Sequence, residues 1–233
     1  MNAERPVIEI YSSMECPYAY LATYRLRQLW PEYSNRLCIR WRALSLEYVN
    51  QQTYPKPLFD AEYALFQRIE PGLPWQPWAQ QDWQWPSTFW PAFEALACAQ
   101  AQNDQAAFEM SWALRHAYFA RSRCLALRHE VFAVAEEVAE ATAESGRLNL
   151  AQFKADWDSG RGKAQIVLES QRGWHEVKVE GSATLILPNQ QRITNPAIGE
   201  IDFDEEHYQL RSYQPYQGDP LNAYRELLDQ ALS

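Results

Sequence analysis

The sequence predicts an α/β fold that runs βαβ, then through a long helical stretch, then ββα. Three observations carry the prediction. Val7 to Tyr11, "VIEIY", alternates apolar and polar residues and contains β-branched positions, and Leu37 to Leu44, "LCIRWRAL", alternates again. Between them Pro17 to Trp30 carries Tyr20, Leu21, Tyr24, Leu26 and Leu29 at mostly helical spacing. The three segments form a βαβ unit, for which parallel pairing and a right-handed crossover are expected.

Further along, the periodicity changes. From Glu47 to Arg172 the patterns are mainly helical: Phe89 to Ala101, Gln105 to Ala117, Glu130 to Thr142, and Leu150 into Ser170. Val131, Val134 and Val138 mark one buried stripe. A strand follows at Thr184 to Leu187, then a turn at Pro188-Asn189, a short strand through Ile193 and Thr194, and a final helix from Leu221 to Leu232. The reading is therefore an α/β domain made of residues 1–46 and 175–233, interrupted by a helical insertion at 47–174. Val7–Tyr11, Leu37–Leu44 and Thr184–Leu187 are expected in one sheet.

With 233 residues, 47% hydrophobic and 14% aromatic, the chain can bury a sizeable core. Its formal net charge of -9 argues against nucleic acid or an anionic membrane as partner, since both reward clustered Lys and Arg. A small thiol or disulfide, free or on a protein, suits it better. No stretch is long and apolar enough to span a bilayer, and "MNAERPVIEIY" lacks a leader pattern, so a reducing cytoplasm is expected. Cys16, Cys38, Cys98 and Cys124 are scattered without a Cys-x-x-Cys pair, which suggests neither a disulfide framework nor a zinc site. His116, His129, His175 and His207 show no metal-ligand spacing and read as surface or packed residues. Glu136, Glu137, Asp204, Glu205 and Glu206 read as solvated charge. The biased stretch "PGLPWQPWAQQDWQWPSTFWP" is either a rigid aromatic cover for the helices or a lid beside the site.

The chemistry centres on "SSMECPYAYL". Cys16 precedes the first helical turn and Pro17 takes its first position, so the sulfur lies near unpaired amides and the positive end of the helix dipole. Those features favour a thiolate. Glu15 opposes them, so a modest lowering of the thiol pKa and a partly accessible sulfur are expected. The alternative is a small buried hydrophobe, the usual state of a free cysteine. Tyr11, Ser12, Ser13 and Tyr18 are candidate hydrogen-bond donors to that thiolate.

"SSMECPYAYLA", "VEGSATLILPNQQRITNPAIG" and "DPLNAYRELLDQAL" together resemble the DsbA-like thioredoxin-fold family, which also includes 2-hydroxychromene-2-carboxylate isomerases and kappa-class glutathione transferases. "LRHAYFARSRCLALRHEVFAVAEE" and "FKADWDSGRGKAQIVLESQRGWHEVKVEGSAT" resemble its helical insertion and return to the sheet, so the likeness spans nearly the whole chain. It implies a thioredoxin-like fold with the active cysteine at Cys16. Two departures qualify it. In "CPYA", Ala19 stands where redox members carry the resolving cysteine, so an outside thiol such as glutathione would have to finish an exchange begun at Cys16. In "GSAT", Ala183 stands where the family's cis-proline faces the cysteine; the rest of the loop pattern is kept, and the Ser182-Ala183 peptide is expected to be cis. The resemblance implies Pro17, Tyr18, Ser182 and Ala183 as residues that would hold a thiol ligand, with glutathione a co-substrate, and neither a metal nor a tightly bound cofactor. Three functions stay open: a single-cysteine thiol oxidoreductase; a non-catalytic binding module; and a glutathione-dependent isomerase or transferase, whose relatives carry serine at the cysteine's place. No interface is legible, so oligomeric state is not read.

Overall fold

The computed structural model describes residues 5–142, 148–204 and 206–233. Strand β1 (Val7–Ser12) pairs in parallel with β2 (Cys38–Ala43), in a register running from Val7 opposite Cys38 to Ser12 opposite Ala43. Between them runs α1 (Pro17–Tyr33), three residues longer than its pattern suggests. Strand β3 (Thr184–Ile186) joins the other edge of β1 antiparallel, and β4 (Arg192–Thr194) pairs with β3. The order β2-β1-β3-β4 places all three expected strands in one sheet. β1 is buried on both faces: Ile8 and Ile10 enter the main core, whereas Tyr11 packs with Leu44, Val179 and Ile186 on the opposite side.

Between β2 and β3 the chain is helical. It forms α2 (Leu46–Asn50), α3 (Lys56–Ile69), α4 (Trp90–Gln100), α5 (Asp104–Arg121), α6 (Arg128–Ala141), α7 (Leu150–Asp158) and α8 (Lys163–Gln171). Val131, Val134 and Val138 are buried, as their spacing predicts. The single helix expected from Leu150 into Ser170 is two, because Gly160 takes a left-handed φ of 70° between them. A π-helical turn, Arg172–Val177, then brings the chain back against β1. A β-carbon on Gly173 would lie 2.6 Å from the Tyr11 ring, so this close return requires glycine.

The tryptophan-rich segment is a packing element. Trp75 and Trp78 are buried, with Trp75 5.1 Å from the Phe59 ring and Trp78 4.9 Å from that of Trp85, and only Trp83 projects into solvent. None of these indoles lines the cavity beside Cys16, so the lid reading is not supported. A second departure from the expected elements is a two-stranded sheet, β5 (Gly199–Asp204) and β6 (Gln209–Pro215), before the final helix α9 (Pro220–Gln230). Ile201 and Phe203 alternate with charged residues in β5, but the run is short, and β6 answers it only with Leu210 and Tyr213, all at partly exposed positions.

Candidate functional site

Cys16 caps α1 with extended backbone (φ -79°, ψ 120°), and its carbonyl accepts the first helical bond from the Tyr20 amide at 3.1 Å. Its sulfur points across to the loop before β3, donating to the Ser182 carbonyl at 3.1 Å. That loop is held from both sides. The Ser13 amide donates to Ser182 Oγ at 2.8 Å, and the Asn195 amide donates to the Ala183 carbonyl at 2.9 Å. The Ser182-Ala183 peptide is cis.

Cys16, Pro17, Tyr18 and Ser182 line one cavity of about 360 Å³, which also receives side chains from α2, α3 and the π-helical turn. Three of the four expected binding residues therefore meet beside the cysteine. Ala183 does not line the cavity: it is wholly buried in the main core.

The expectation of a lowered thiol pKa and a partly accessible sulfur is corrected here. Cys16 is only 5% exposed. Burial pushes its thiol up to about 12, and the carboxylates of Glu62 and Glu15 push the same way. The hydrogen bond at Ser182 and, less so, the Ala19 amide at the helix start oppose them but are outweighed. The expected hydrogen-bond donors also serve elsewhere: Ser13 Oγ donates to Glu15 at 2.5 Å, and Ser12 Oγ accepts from Arg115. Tyr11 lies on the other face of the sheet.

Arg115 is a site residue that spacing did not reveal. From α5, fully buried, it donates to Ser12 Oγ at 2.9 Å and the Ser13 carbonyl at 3.1 Å through one nitrogen. The other donates to Ser111 Oγ at 2.6 Å, and the guanidinium lies 5.2 Å from the Trp41 ring centre. It thus clamps the segment that leads into Cys16. Burial lowers its pKa to about 10, which leaves it charged at neutral pH. Glu62 on α3 is the other such residue, buried and bonded to the Tyr54 hydroxyl. The sequence signal for both is a charge in an apolar helical stripe: Glu62 among Phe59, Leu65 and Phe66, and Arg115 among Met110, Leu114 and Tyr118.

Among the described residues no group of three or more His, Cys, Asp or Glu could hold a metal ion. His116 stacks on Trp112, and His207 lies against Asp204, both remote from the cavity lining. Glu136, Glu137 and Asp204 form ion pairs with Lys154, Arg121 and Arg211, and Glu206 is exposed. Glu205 lies outside the described residues.

The raised thiol pKa has a consequence for stability. Below about pH 8.5 Cys16 is neutral in both folded and unfolded chains; between there and about 12 only the unfolded chain ionises, so stability falls as pH rises. Other buried acids, Cys98 and Tyr54 among them, act in the same direction. Cys16→Ala should therefore remove only part of the decline, up to roughly 1.4 kcal/mol per pH unit. Urea unfolding of both proteins from pH 8 to 10.5 checks this, and parallel curves would refute it.

The sheet order β2-β1-β3-β4 with a cysteine at the start of α1 facing the loop before β3 is a thioredoxin-like fold, the fold of DsbA-like proteins of known structure. No family model matches the chain, and no curated protein sequence matches it. Among solved structures, the chain is similar to the "putative protein disulfide isomerase" of Nitrosomonas europaea, with a TM-score of 0.65 at 14% identity over 98% of both chains. The cytosolic disulfide reductase DsbM of Pseudomonas aeruginosa gives 0.58 at 17% identity, over 81% of this chain and 89% of that one. A 2-hydroxychromene-2-carboxylate isomerase gives 0.57 at 17% identity, over 80% and 87%. No described helix is long and apolar enough to cross a membrane.

Proposed function

We propose that this chain is a single-cysteine thiol–disulfide exchange protein of the cytoplasm, in which a helical unit at residues 47–174 supplies one wall of the site. The observation that carries this is Cys16 Sγ, set at the start of α1, on a small-molecule-sized cavity and against the Ser182 carbonyl. The similar structures include the "putative protein disulfide isomerase", a disulfide reductase and that reductase with GSH, which supports thiol chemistry and a small thiol such as glutathione as co-substrate. Cys16 would lose its proton and attack a disulfide, forming a mixed disulfide and releasing one thiol. A second thiol from solution then attacks the mixed disulfide and restores Cys16.

An internal resolving thiol is not at hand. Ala19 occupies its place, and Cys38 pairs with Val7 at the far end of β1, five residues from Ser12 or about 17 Å at ~3.3 Å per residue. A disulfide needs Cα atoms within about 7 Å. Cys98 and Cys124 do not line the cavity.

Insulin reduction by dithiothreitol should accordingly show little acceleration with the wild-type protein. Ala19→Cys, one helical turn from Cys16, should give clear turnover, roughly tenfold or more above it. Equal turnover by the two proteins would refute the single-thiol mechanism. A second reading, a non-catalytic binding module, is favoured by the burial that pushes the thiol to about 12. Complete failure of Cys16 to form a mixed disulfide with glutathione disulfide, 2-hydroxyethyl disulfide or cystamine would establish it.

A further inference from the structure

We propose that the cavity beside Cys16 selects a thiol or disulfide bearing an ammonium group and disfavours anionic glutathione. The identity of the reacting group rests on the thiol-exchange reading above; the preference for a cation rests on the cavity itself. Four carboxylates line it, from Glu15, Glu47, Glu62 and Glu180, and neither lysine nor arginine is among the described lining residues. They belong to four separate segments: the approach to α1, α2, α3, and the loop before β3. Their charge therefore converges on one space instead of spreading along one solvated helix face.

Glu47 and Glu15 are held by neutral hydrogen-bond donors. Glu47 accepts from the Thr88 hydroxyl at 2.8 Å and the Phe89 amide at 2.9 Å, and Glu15 from Ser13 Oγ. These bonds fix the carboxylates but bring no positive charge into the cavity. Arg115, the buried cation bonded to Ser12 and Ser13, does not line the cavity; its charge acts on Glu15 and Cys16, one cation against the four lining carboxylates. Three aromatic residues, Tyr18, Tyr54 and the half-exposed Trp174, also line it. Aromatic faces beside carboxylates attract a cation by charge and by ring quadrupole together. Glutathione brings two carboxylates against one ammonium, so it meets net repulsion here.

The volume, about 360 Å³, lies at the lower end of the ~300 to 1,000 Å³ typical of small-ligand sites, and suits an aminothiol better than a folded partner. With cystamine the exchange balances. The Cys16–sulfur bond forms as the cystamine S–S bond breaks, and the expelled 2-aminoethanethiolate takes up the proton that Cys16 gave to solvent. The bound ammonium also offsets Glu62 and Glu15, whose charges add a smaller push to the one that burial gives the thiol.

The test separates binding from chemistry. Calorimetric titration of the Cys16→Ser protein with cystamine, its neutral analogue 2-hydroxyethyl disulfide, and glutathione disulfide should show cystamine binding roughly tenfold tighter than either, and weaker as salt is raised. Glu62→Gln should lose most of that margin. Glu180→Gln, an exposed position where folding is not at issue, should lose about two- to fivefold. Equal or tighter binding of glutathione disulfide, or no detectable binding of cystamine, overturns the proposal. Mass spectrometry of the wild-type protein with cystamine then reads the chemistry: an adduct on Cys16 supports both readings. Binding to the serine variant with no adduct on wild type keeps the cation site and rejects thiol exchange. A basic disulfide peptide that binds where cystamine does not would also overturn the small-ligand form of the proposal.

Discussion

Arg115→Ala is expected to destabilise the protein by about 3–5 kcal/mol, a large share of the ~5–15 kcal/mol by which domains are usually stable. The loss has identifiable parts. The Ser13 carbonyl and the Ser12 hydroxyl lose their donor in a buried setting, at about 1–3 kcal/mol for each group left unsatisfied, and Trp41 loses the cation over its ring. Arg115→Met keeps much of the stem and removes only the charge and its bonds. If methionine restores full stability, packing rather than the guanidinium clamp holds the segment. Urea unfolding decides between these outcomes. Because the clamp acts on the two residues that lead toward Cys16, surviving folded Arg115→Ala protein should also alkylate faster at Cys16 than wild type.

Iodoacetamide should modify Cys16 in the native protein about 10³-fold more slowly at pH 7.5 than it modifies free cysteine. The thiolate fraction falls tenfold for each unit of pKa, and burial has moved this thiol from 9.0 to about 12. The rate should keep rising with pH well past 9, where an ordinary thiol levels off. A plateau near pH 7 would mean that the sulfur is activated, contrary to its surroundings. Peptide mapping after quenching assigns the label among the four cysteines, all of which are free and buried.

The sheet was legible because its strands are short apolar alternations bounded by polar turns: "VIEIY" and "LCIRWRAL" have no better use than as half- or fully buried strands. The β5–β6 hairpin was not, since its apolar alternation is only Ile201 and Phe203 on one strand and Leu210 and Tyr213 on the other, too short a pattern to stand out from a polar loop. At the site, Cys16, Pro17 and Tyr18 could be read because they are contiguous and Pro17 fixes the helix start. The charge of the thiol could not. It depends on how much chain lies over the sulfur and on carboxylates brought from α3, and neither quantity is written in local spacing. Glu62 and Arg115 did leave a trace, as charged residues at core positions of helices, which is where a sequence departs from its own packing rule.

The contact between the Cys16 sulfur and the Ser182 carbonyl joins residues 166 apart in the chain. On the ribosome, at about 5–20 residues per second, roughly 8 to 33 s pass between their appearances, and β3 is made later still. Through that interval β1 has only β2 as a partner, and the thiol has neither its carbonyl acceptor nor the loop that covers it. A cysteine that burial restrains in the finished protein is thus uncovered in the nascent one. Oxidants present during translation would meet it as an ordinary exposed thiol, and any adduct formed then would be carried into a cavity that later reagents reach slowly.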